Sequence, residues 1–157
     1  MQLIRGIHNI RAANVGCVLT IGNFDGVHLG HQEVLNGLKK QANILGLPST
    51  VMTFEPQPQE LFNGEGAPAR LSRLREKLGL LAQFDIERLL CVRFDAKFAL
   101  MTAQDFIEQL LVKQLGIKFL VVGDDFRFGH KRVGNFAMLQ QAGKQFGFEV
   151  VSTQSLK

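Results

Sequence analysis

The stretch Gly22-Asn23-Phe24-Asp25-Gly26-Val27-His28-Leu29-Gly30-His31 decides the fold, because it joins two segments whose apolar residues recur with different periods. Before it, the apolar run of residues 17–21 predicts a buried strand. After it, apolar residues recur at helical spacing as far as residue 45, and Gly46 and Pro48 are typical of a helix end. The stretch therefore predicts a strand, a glycine-rich turn and the start of a helix in one unit.

This turn has the features of an anion site. Free N–H groups and the positive end of a helix dipole favour phosphate at a helix start. Gly22, Gly26 and Gly30 remove side chains where a ligand would approach the backbone. His28 and His31 are three residues apart and share a helical face, so their imidazoles suit a polyphosphate and the charge that develops during its transfer.

Two other interpretations of the turn remain open. Asp25, His28 and His31 have residue types and spacing that would suit a divalent metal such as zinc. Alternatively, the histidines are ordinary surface or capping residues. The phosphate interpretation is favoured because a metal site does not need three glycines. The pattern is neither the dinucleotide fingerprint Gly-x-Gly-x-x-Gly nor a P-loop, which requires a lysine.

The rest of the chain alternates between short apolar runs and amphipathic segments. Strands are predicted at residues 16–21, 49–54, 89–92, 119–122 and 148–151, with a short edge strand near Leu3 and Ile4. Helices are predicted at residues 29–45, from an N-cap at Ser72 to about residue 84, at 103–115 behind a capping box that Thr102 opens, and at 135–146. The alternation predicts an α/β fold, with a parallel sheet of about five strands and helices on both faces.

A second dense motif, Gly123-Asp124-Asp125-Phe126-Arg127-Phe128-Gly129, follows the strand at 119–122. Packing alone rarely ends a buried strand in such a cluster of glycine, acid and base, although a plain polar loop is the alternative. A third loop, Glu55-Pro56-Gln57-Pro58-Gln59-Glu60-Leu61-Phe62, follows the strand at 49–54 and contains two stiffening prolines. Because the carboxyl ends of parallel strands meet at one sheet edge, these motifs are expected to face one crevice.

Composition sets limits on the class of protein. A chain of 157 residues with 46% hydrophobic residues is expected to form one domain. The net charge of +4 allows an anionic ligand but does not indicate nucleic acid, because the basic residues are scattered. Cys17 and Cys91 lie in apolar runs and are interpreted as buried thiols of a cytoplasmic protein. Neither a signal peptide nor a membrane segment is predicted, since no apolar run approaches the ~20 residues of a membrane span.

The motif Gly22-x-Phe24-Asp25-Gly26-Val27-His28-x-Gly30-His31 resembles the signature of the His-x-Gly-His nucleotidyltransferases. Its wording is most similar to the adenylyltransferase module of bacterial bifunctional riboflavin kinase/FAD synthetase. Residues 123–129 resemble that family's Gly-x-Asp/Asn-Phe-x-Phe-Gly, and the likeness covers essentially the whole chain. In the proline loop, Gln57 replaces the histidine of the family's usual Pro-His-Pro. The resemblance implies a Rossmann-like sheet and transfer of AMP from ATP to FMN, with Mg²⁺ accompanying ATP and FAD as product.

The resemblance also implies roles for individual residues. His28 and His31 would hold the ATP phosphates and stabilise the transition state, and Asp25 would order the turn or approach the magnesium ion. The expected ATP-binding residues are Gly22, Phe24, Asp25, Gly26, Gly30, Gly123 and Asp125. The flavin needs an apolar, flat-walled slot. Its expected residues are Pro56, Pro58, Phe62, Phe126, Arg127 and Phe128.

Two alternatives to this function stay open. One is another nucleotidyltransferase of the same superfamily, of the pantetheine-phosphate adenylyltransferase or cytidylyltransferase type, and the other is a non-catalytic nucleotide-binding module. The tail after residue 151 lacks the arginine of the family's Ser-Ser-Thr-x-x-Arg-type phosphate segment, and no riboflavin kinase domain follows. Residues 1–157 are therefore expected to be a C-terminally truncated adenylyltransferase domain, folded but impaired, of a protein that is also a riboflavin kinase.

Overall fold

The protein folds as a six-stranded sheet covered by helices on both faces. A computed structural model describes residues 1–24, 29–55 and 67–156, without the side chains of residues 29, 30, 67–73 and 156. The strands are β1 (Gln2–Arg5), β2 (Cys17–Ile21), β3 (Ser49–Glu55), β4 (Arg88–Arg93), β5 (Ile117–Val122) and β6 (Glu149–Ser152). The helices are α1 (Leu29–Leu45), α2 (Ala67–Gln83), α3 (Ala96–Ala99), α4 (Ala103–Asp105), which continues as a π-helical segment (Phe106–Gln114), and α5 (Phe136–Phe146).

All strand pairs are parallel, in the order β1-β4-β3-β2-β5-β6. The chain moves outward from β2 through β3 to β4, then returns to place β5 on the other side of β2. The direction of winding therefore reverses between β2 and β5, and open α/β sheets bind ligands at such a reversal, outside the carboxyl ends of the strands. The expected parallel α/β sheet is confirmed, and its sixth strand is the short edge strand near Leu3 and Ile4.

Alternate residues of each strand point into two separate cores, because side chains along a strand alternate between faces. On one face, residues such as Leu19 and Leu120 pack beneath α4, the π-helical segment and α5. On the other face, residues such as Val18 and Val121 pack beneath α1 and α2. All five residues of β2 are buried, as expected for a central parallel strand that is covered on both sides.

The ends of several helices follow the sequence closely. The helix α1 has the bounds that its periodicity predicts, and Gly46 beyond it has a left-handed φ of 66°. The Thr102 hydroxyl accepts a hydrogen bond from the Asp105 N–H at 3.0 Å, so Thr102 is the N-cap of α4. Asn135 caps α5 in the same way, and Gly147 ends that helix with a φ of 84°. Local capping chemistry therefore positions these elements.

Two predictions about helices were wrong. Helix α2 begins at Ala67, so Ser72 lies inside it and is not its N-cap. Pro68 falls in the first turn, where a residue without an N–H is tolerated, and the helix therefore starts before the serine. The segment after α4 is π-helical and not a continuous α-helix. Its Phe106, Ile107, Leu110 and Leu111 are nevertheless buried, as the apolar stripe indicates.

A basic residue of α2 is buried. Lys77 is 2% exposed, and its Nζ lies 3.7 Å from Oε1 of Glu55 at the end of β3. Arg75, two residues before it in the same helix, is exposed, so the burial of Lys77 is specific to its position. The contact joins α2 to the strand end from which the proline loop departs. None of the helices in the described part of the chain is long and apolar enough to cross a membrane.

Candidate functional site

A cavity of about 390 Å³ opens at the carboxyl ends of four neighbouring strands. Its lining begins with Ile21, Gly22 and Asn23 at the end of β2. Phe54 near the end of β3 and Phe94 after β4 extend it, and the loop after β5 closes the opposite side. The cavity lies at the winding reversal between β2 and β5, and its volume is in the usual range of about 300–1,000 Å³ for small-molecule sites.

Six phenylalanines form the cavity's aromatic wall: Phe54, Phe94, Phe98, Phe106, Phe126 and Phe128. Phe98 touches Phe54, Phe94 and Phe106, with ring centroids 5.7, 5.8 and 6.5 Å apart. Phe106 continues to Phe128 at 5.0 Å, and Phe128 stacks on Phe126 at 5.7 Å with an interplanar angle of 19°. Such a continuous wall offers flat apolar contact to a planar aromatic ligand.

The loop after β5 is held by its own hydrogen bonds. Phe128 and Gly134 exchange two backbone hydrogen bonds, of 3.3 and 2.8 Å, and close residues 128–134 into a ring that we call the rim loop. The His130 N–H donates to the Met101 carbonyl at 2.8 Å, which ties the rim loop to the segment before α4. Met101 also lines the cavity. The phenylalanine wall and the rim loop therefore form one connected structure.

Glycine is required at two points of the rim loop. A Cβ added at Gly129, whose φ is 81°, would lie 2.6 Å from the backbone nitrogen of Ala103. A Cβ at Gly134 would lie 2.5 Å from the Phe128 ring. These close approaches explain why the motif ends in glycine, and they fix the ring of Phe128 against the loop.

The first motif bridges the two faces of the sheet. Gly22 and Asn23 line the cavity on the α4–α5 face, but the next residue, Phe24, is 7% exposed and packs on the α1 face. Phe24 has a left-handed φ of 52°, and its ring lies 5.0 Å from that of His31 on α1. A Cβ at Gly22 would meet the Phe24 ring at 3.0 Å. Gly22 thus makes room for a core aromatic that supports His31.

Several predicted site residues lie outside the described residues. These are Asp25, Gly26 and His28 of the first motif, and Pro56, Pro58 and Phe62 of the proline loop. Gly30 lies in the first turn of α1. The metal hypothesis for Asp25, His28 and His31 therefore stays untested. Within residues 1–24, 29–55 and 67–156, no group of three or more His, Cys, Asp and Glu side chains could hold a metal ion.

The second motif contributes both apolar and charged groups. Phe126, Arg127 and Phe128, which are predicted to bind the flavin, line the cavity, whereas Asp125, which is predicted to bind ATP, is exposed and does not line it. A Cβ at Gly123 would come within 2.9 Å of Oδ1 of Asp125, so this glycine lets the carboxylate fold back over the strand end. The motif therefore places two aromatic rings and Arg127 at the cavity and keeps the Asp125 carboxylate away from it.

More than half of the residues that line the cavity were not predicted from the sequence. Phe54, Phe94, Phe98, Phe106 and Arg132 were not expected in the site, although all line it. A signal existed in the composition, since 13 phenylalanines accompany no tryptophan or tyrosine. However, no local pattern distinguishes a phenylalanine of the core from one at a cavity wall.

A parallel doubly wound sheet with a cavity at its winding reversal places this chain among the Rossmann-like α/β proteins, in which ligands bind at that position. The FAD synthetase family model matches residues 10–157. The chain therefore belongs to the FAD synthetase family. It is 60% identical over 156 residues to a bifunctional riboflavin kinase/FMN adenylyltransferase of Escherichia coli K12, covering 99% of this chain and 50% of that protein.

Other relatives agree with this assignment. The protein of the same name from Haemophilus influenzae is 56% identical over 155 residues, covering 99% of this chain and 50% of that protein. The chain spans about half the length of the curated relatives it matches. A solved structure described as a macrolide-efflux protein from Streptococcus pneumoniae has a TM-score of 0.73 and 28% identity, over 96% of this chain and 50% of that one. That likeness agrees with the observed fold of this chain.

Proposed function

We propose that this chain is an FMN adenylyltransferase, which transfers AMP from ATP to FMN to give FAD and pyrophosphate. The observation that carries the proposal is the phenylalanine-walled cavity at the winding reversal, which Gly22 and Asn23 of the first motif also line. A flavin ring is planar and aromatic, and its flat faces suit this wall. Family membership, with relatives named for the same transfer, supports the choice of ligand.

The reaction needs little covalent chemistry from the protein. A phosphate oxygen of FMN attacks the α-phosphorus of ATP and forms a new P–O bond. The bond from that phosphorus to the bridging oxygen of the β-phosphate breaks, and pyrophosphate leaves with the electron pair. The FMN phosphate is largely dianionic near neutral pH, since its second pKa is about 6, so no strong general base is required. Catalysis then rests on in-line positioning and on neutralising charge.

The two faces of the sheet suggest how the substrates meet. The flavin cavity lies on the α4–α5 face, whereas Phe24 and His31 lie on the α1 face. Residues 22–24 after β2 reach both sides, since Gly22 and Asn23 line the cavity and Phe24 packs on the α1 face, so we place the reacting phosphates above Gly22 and Asn23. His31, together with His28, would hold the ATP phosphates at the start of α1, where the helix dipole favours anions.

The remaining assignments are proposals of the same kind. Asp25, Gly26, Gly30, Gly123 and Asp125 would complete the ATP side. Pro56, Pro58 and Phe62 would join Phe126, Arg127 and Phe128 around the flavin.

Magnesium is proposed to enter bound to ATP, where it would neutralise phosphate charge. Mg²⁺ is commonly held by one or two carboxylates and substrate phosphates, so a dedicated protein cage is not required. The exposed carboxylates Asp124 and Asp125, at the end of β5, have the oxygen donors that this ion prefers. We also propose a cytoplasmic location, which the buried free thiols Cys17 and Cys91 support. Riboflavin phosphorylation is not proposed for these 157 residues.

The test is to incubate the chain with FMN and Mg·ATP and to follow FAD by chromatography and pyrophosphate by a coupled assay. The proposal expects both products in equal amounts. Parallel reactions with phosphopantetheine in place of FMN, or CTP in place of ATP, test the other nucleotidyltransferase types and should give no product. Transfer to phosphopantetheine in preference to FMN would contradict the proposed substrate.

A further inference from the structure

The charged side chains among the described residues that line the cavity are all positive. Among the residues that the structure describes, no carboxylate lines the cavity, whereas two arginines, Arg127 and Arg132, do. Neither guanidinium has an ion-pair partner within the described ranges. Arginine stays protonated at every ordinary pH, so these groups give the otherwise aromatic cavity a permanent positive charge. Such a charge suits the phosphate group of FMN, because a guanidinium binds a phosphate through charge-assisted hydrogen bonds, whereas any contact with the carbonyl edge of the flavin ring would serve FMN and riboflavin alike.

Arg132 is the better fixed of the two arginines. It lies inside the rim loop, and its N–H donates a hydrogen bond to the Gly129 carbonyl at 2.9 Å. The base of the loop is closed between Phe128 and Gly134, and the Phe128 ring is part of the aromatic wall. The backbone of Arg132 is therefore held at a set position relative to the surface on which the flavin ring would lie. Arg127, by contrast, lies one residue before Phe128 and so outside the segment that the hydrogen bonds between Phe128 and Gly134 close.

The path of the rim loop is strained at this residue. Lys131 and Arg132 both have left-handed backbones, with φ of 59° and 56°, although neither is glycine. Non-glycine residues adopt this region uncommonly, and such strain tends to be retained where it serves a ligand site. This backbone path brings only one of the two basic residues to the cavity, since Arg132 lines it and the adjacent Lys131 does not.

We propose that Arg132 is a specificity-determining residue whose guanidinium binds the phosphate of FMN and makes the site prefer FMN to riboflavin. This inference rests on the proposed function. FMN and riboflavin share the same ring, so the phenylalanine wall binds both alike, and the phosphate is what distinguishes them. A guanidinium holds a phosphate through two parallel hydrogen bonds, which an ammonium group does not reproduce. By holding this phosphate, Arg132 also positions the attacking group of the transfer.

The experiment measures dissociation constants of FMN and riboflavin by quenching of flavin fluorescence, without ATP. For Arg132→Ala we expect FMN affinity to fall about 10- to 100-fold, the usual effect of losing hydrogen bonds to a charged group. Riboflavin affinity should change less than about twofold. Arg132→Lys should restore only part of the preference for FMN. Lys131→Ala is the matched control, because it removes the same charge from the adjacent strained residue and should leave the preference unchanged.

The possible outcomes are distinguishable. An equal loss of both flavins in Arg132→Ala, or an equal loss of preference in Lys131→Ala, would overturn the inference while leaving the proposed function intact. Loss of preference in Arg127→Ala but not in Arg132→Ala would assign the role to Arg127 instead and likewise overturn it. If the unsubstituted chain binds neither flavin, the proposed function itself fails. Arg132 is exposed, and Arg132→Gln, which keeps most of the stem, repeats the test if the alanine variant unfolds.

Discussion

Between β2 and α1, the buried residue Phe24 packs against His31, a predicted site residue. Phe24 is buried and left-handed, and its ring supports His31 from below at 5.0 Å. The sequence suggested Phe24 as an ATP-binding residue, and its buried ring indicates that any such effect would act through His31. Under the proposed function, the half-buried imidazole of His31 would bind the ATP phosphates at the start of α1.

His31→Ala is expected to lower FAD formation by about 10²–10³, the usual effect of losing one charge-stabilising donor. The free energy of unfolding should change little, because the imidazole is only half buried. The measurement is the rate of FAD formation together with a thermal melt. His8→Ala is the control, since His8 is exposed in the turn after the edge strand β1 and should leave the rate unchanged. A fully active His31→Ala variant would contradict the role of this histidine.

Phe126 and Phe128 both line the cavity, but replacing them with alanine is expected to have different effects on stability. Phe126 is partly exposed, so Phe126→Ala should weaken FMN binding by about 1–3 kcal/mol, by analogy with stacked bases, and affect ATP binding little. Phe128 is 6% exposed and packs on Phe106, so Phe128→Ala should also lower the free energy of unfolding by about 3–5 kcal/mol. Calorimetric titration with each ligand and denaturant unfolding separate these effects. Equal losses of FMN and ATP affinity in Phe126→Ala would show that this ring is structural.

At the scale of elements, glycines in two helices have opposite surroundings. A Cβ at Gly143 in α5 would collide with the Phe148 carbonyl oxygen, because α5 lies directly against the start of β6. A Cβ at Gly79 in α2 would meet nothing within 4 Å. The first glycine is therefore required for packing, whereas the second only weakens its helix.

The matched substitutions test this difference. Gly143→Ala is expected to lower the free energy of unfolding by about 1–3 kcal/mol, as overpacking usually does. Gly79→Ala should raise it by about 0.5–1 kcal/mol, because alanine loses less backbone entropy in a helix. Urea unfolding of both variants gives the two values directly. A destabilised Gly79→Ala variant would contradict the exposed position of that helix face.

The sequence predicts elements better than it predicts the site, for a physical reason. The bounds of α1 and the caps at Thr102 and Asn135 depend on nearby residues, so local patterns reveal them. The sequence offers both Pro68 and Ser72 as signals of a helix start. The prediction used Ser72 as the N-cap, whereas the helix begins at Ala67, just before Pro68. The aromatic wall draws residues from β3, the segments after β4 and β5, and the helices between, and strand order alone brings them together. Such long-range proximity leaves no local pattern.

In the whole molecule, each of the two cores buries one cysteine, and burial raises the pKa of its thiol. Burial raises the pKa of the Cys17 thiol to about 11, against the smaller opposite effects of the Thr50 hydroxyl and Arg88. Burial, with the Glu55 carboxylate, also raises the pKa of Cys91. Both thiols are free and buried, as the sequence indicates.

These shifts predict a loss of stability in alkali. The unfolded chain releases the Cys17 proton near pH 9, whereas the folded protein holds it to about pH 11. The unfolded state therefore binds fewer protons in this window, and the free energy of unfolding should fall as pH rises through it, by up to about 3 kcal/mol. Urea unfolding at pH 8, 9, 10 and 11 measures the slope, and Cys17→Ala should reduce it. A slope that Cys17→Ala leaves unaltered would exclude this thiol as the cause.

We propose that the cavity between the carboxyl ends of β2 and β5 is the flavin site of an adenylyltransferase. A crystal structure of the chain with FMN tests it most directly. The flavin ring should lie against Phe126 and Phe128, with the phosphate of FMN near Arg132 and directed toward Gly22 and Asn23. An FMN molecule ordered elsewhere on the protein, with this cavity empty at saturating FMN, would contradict it.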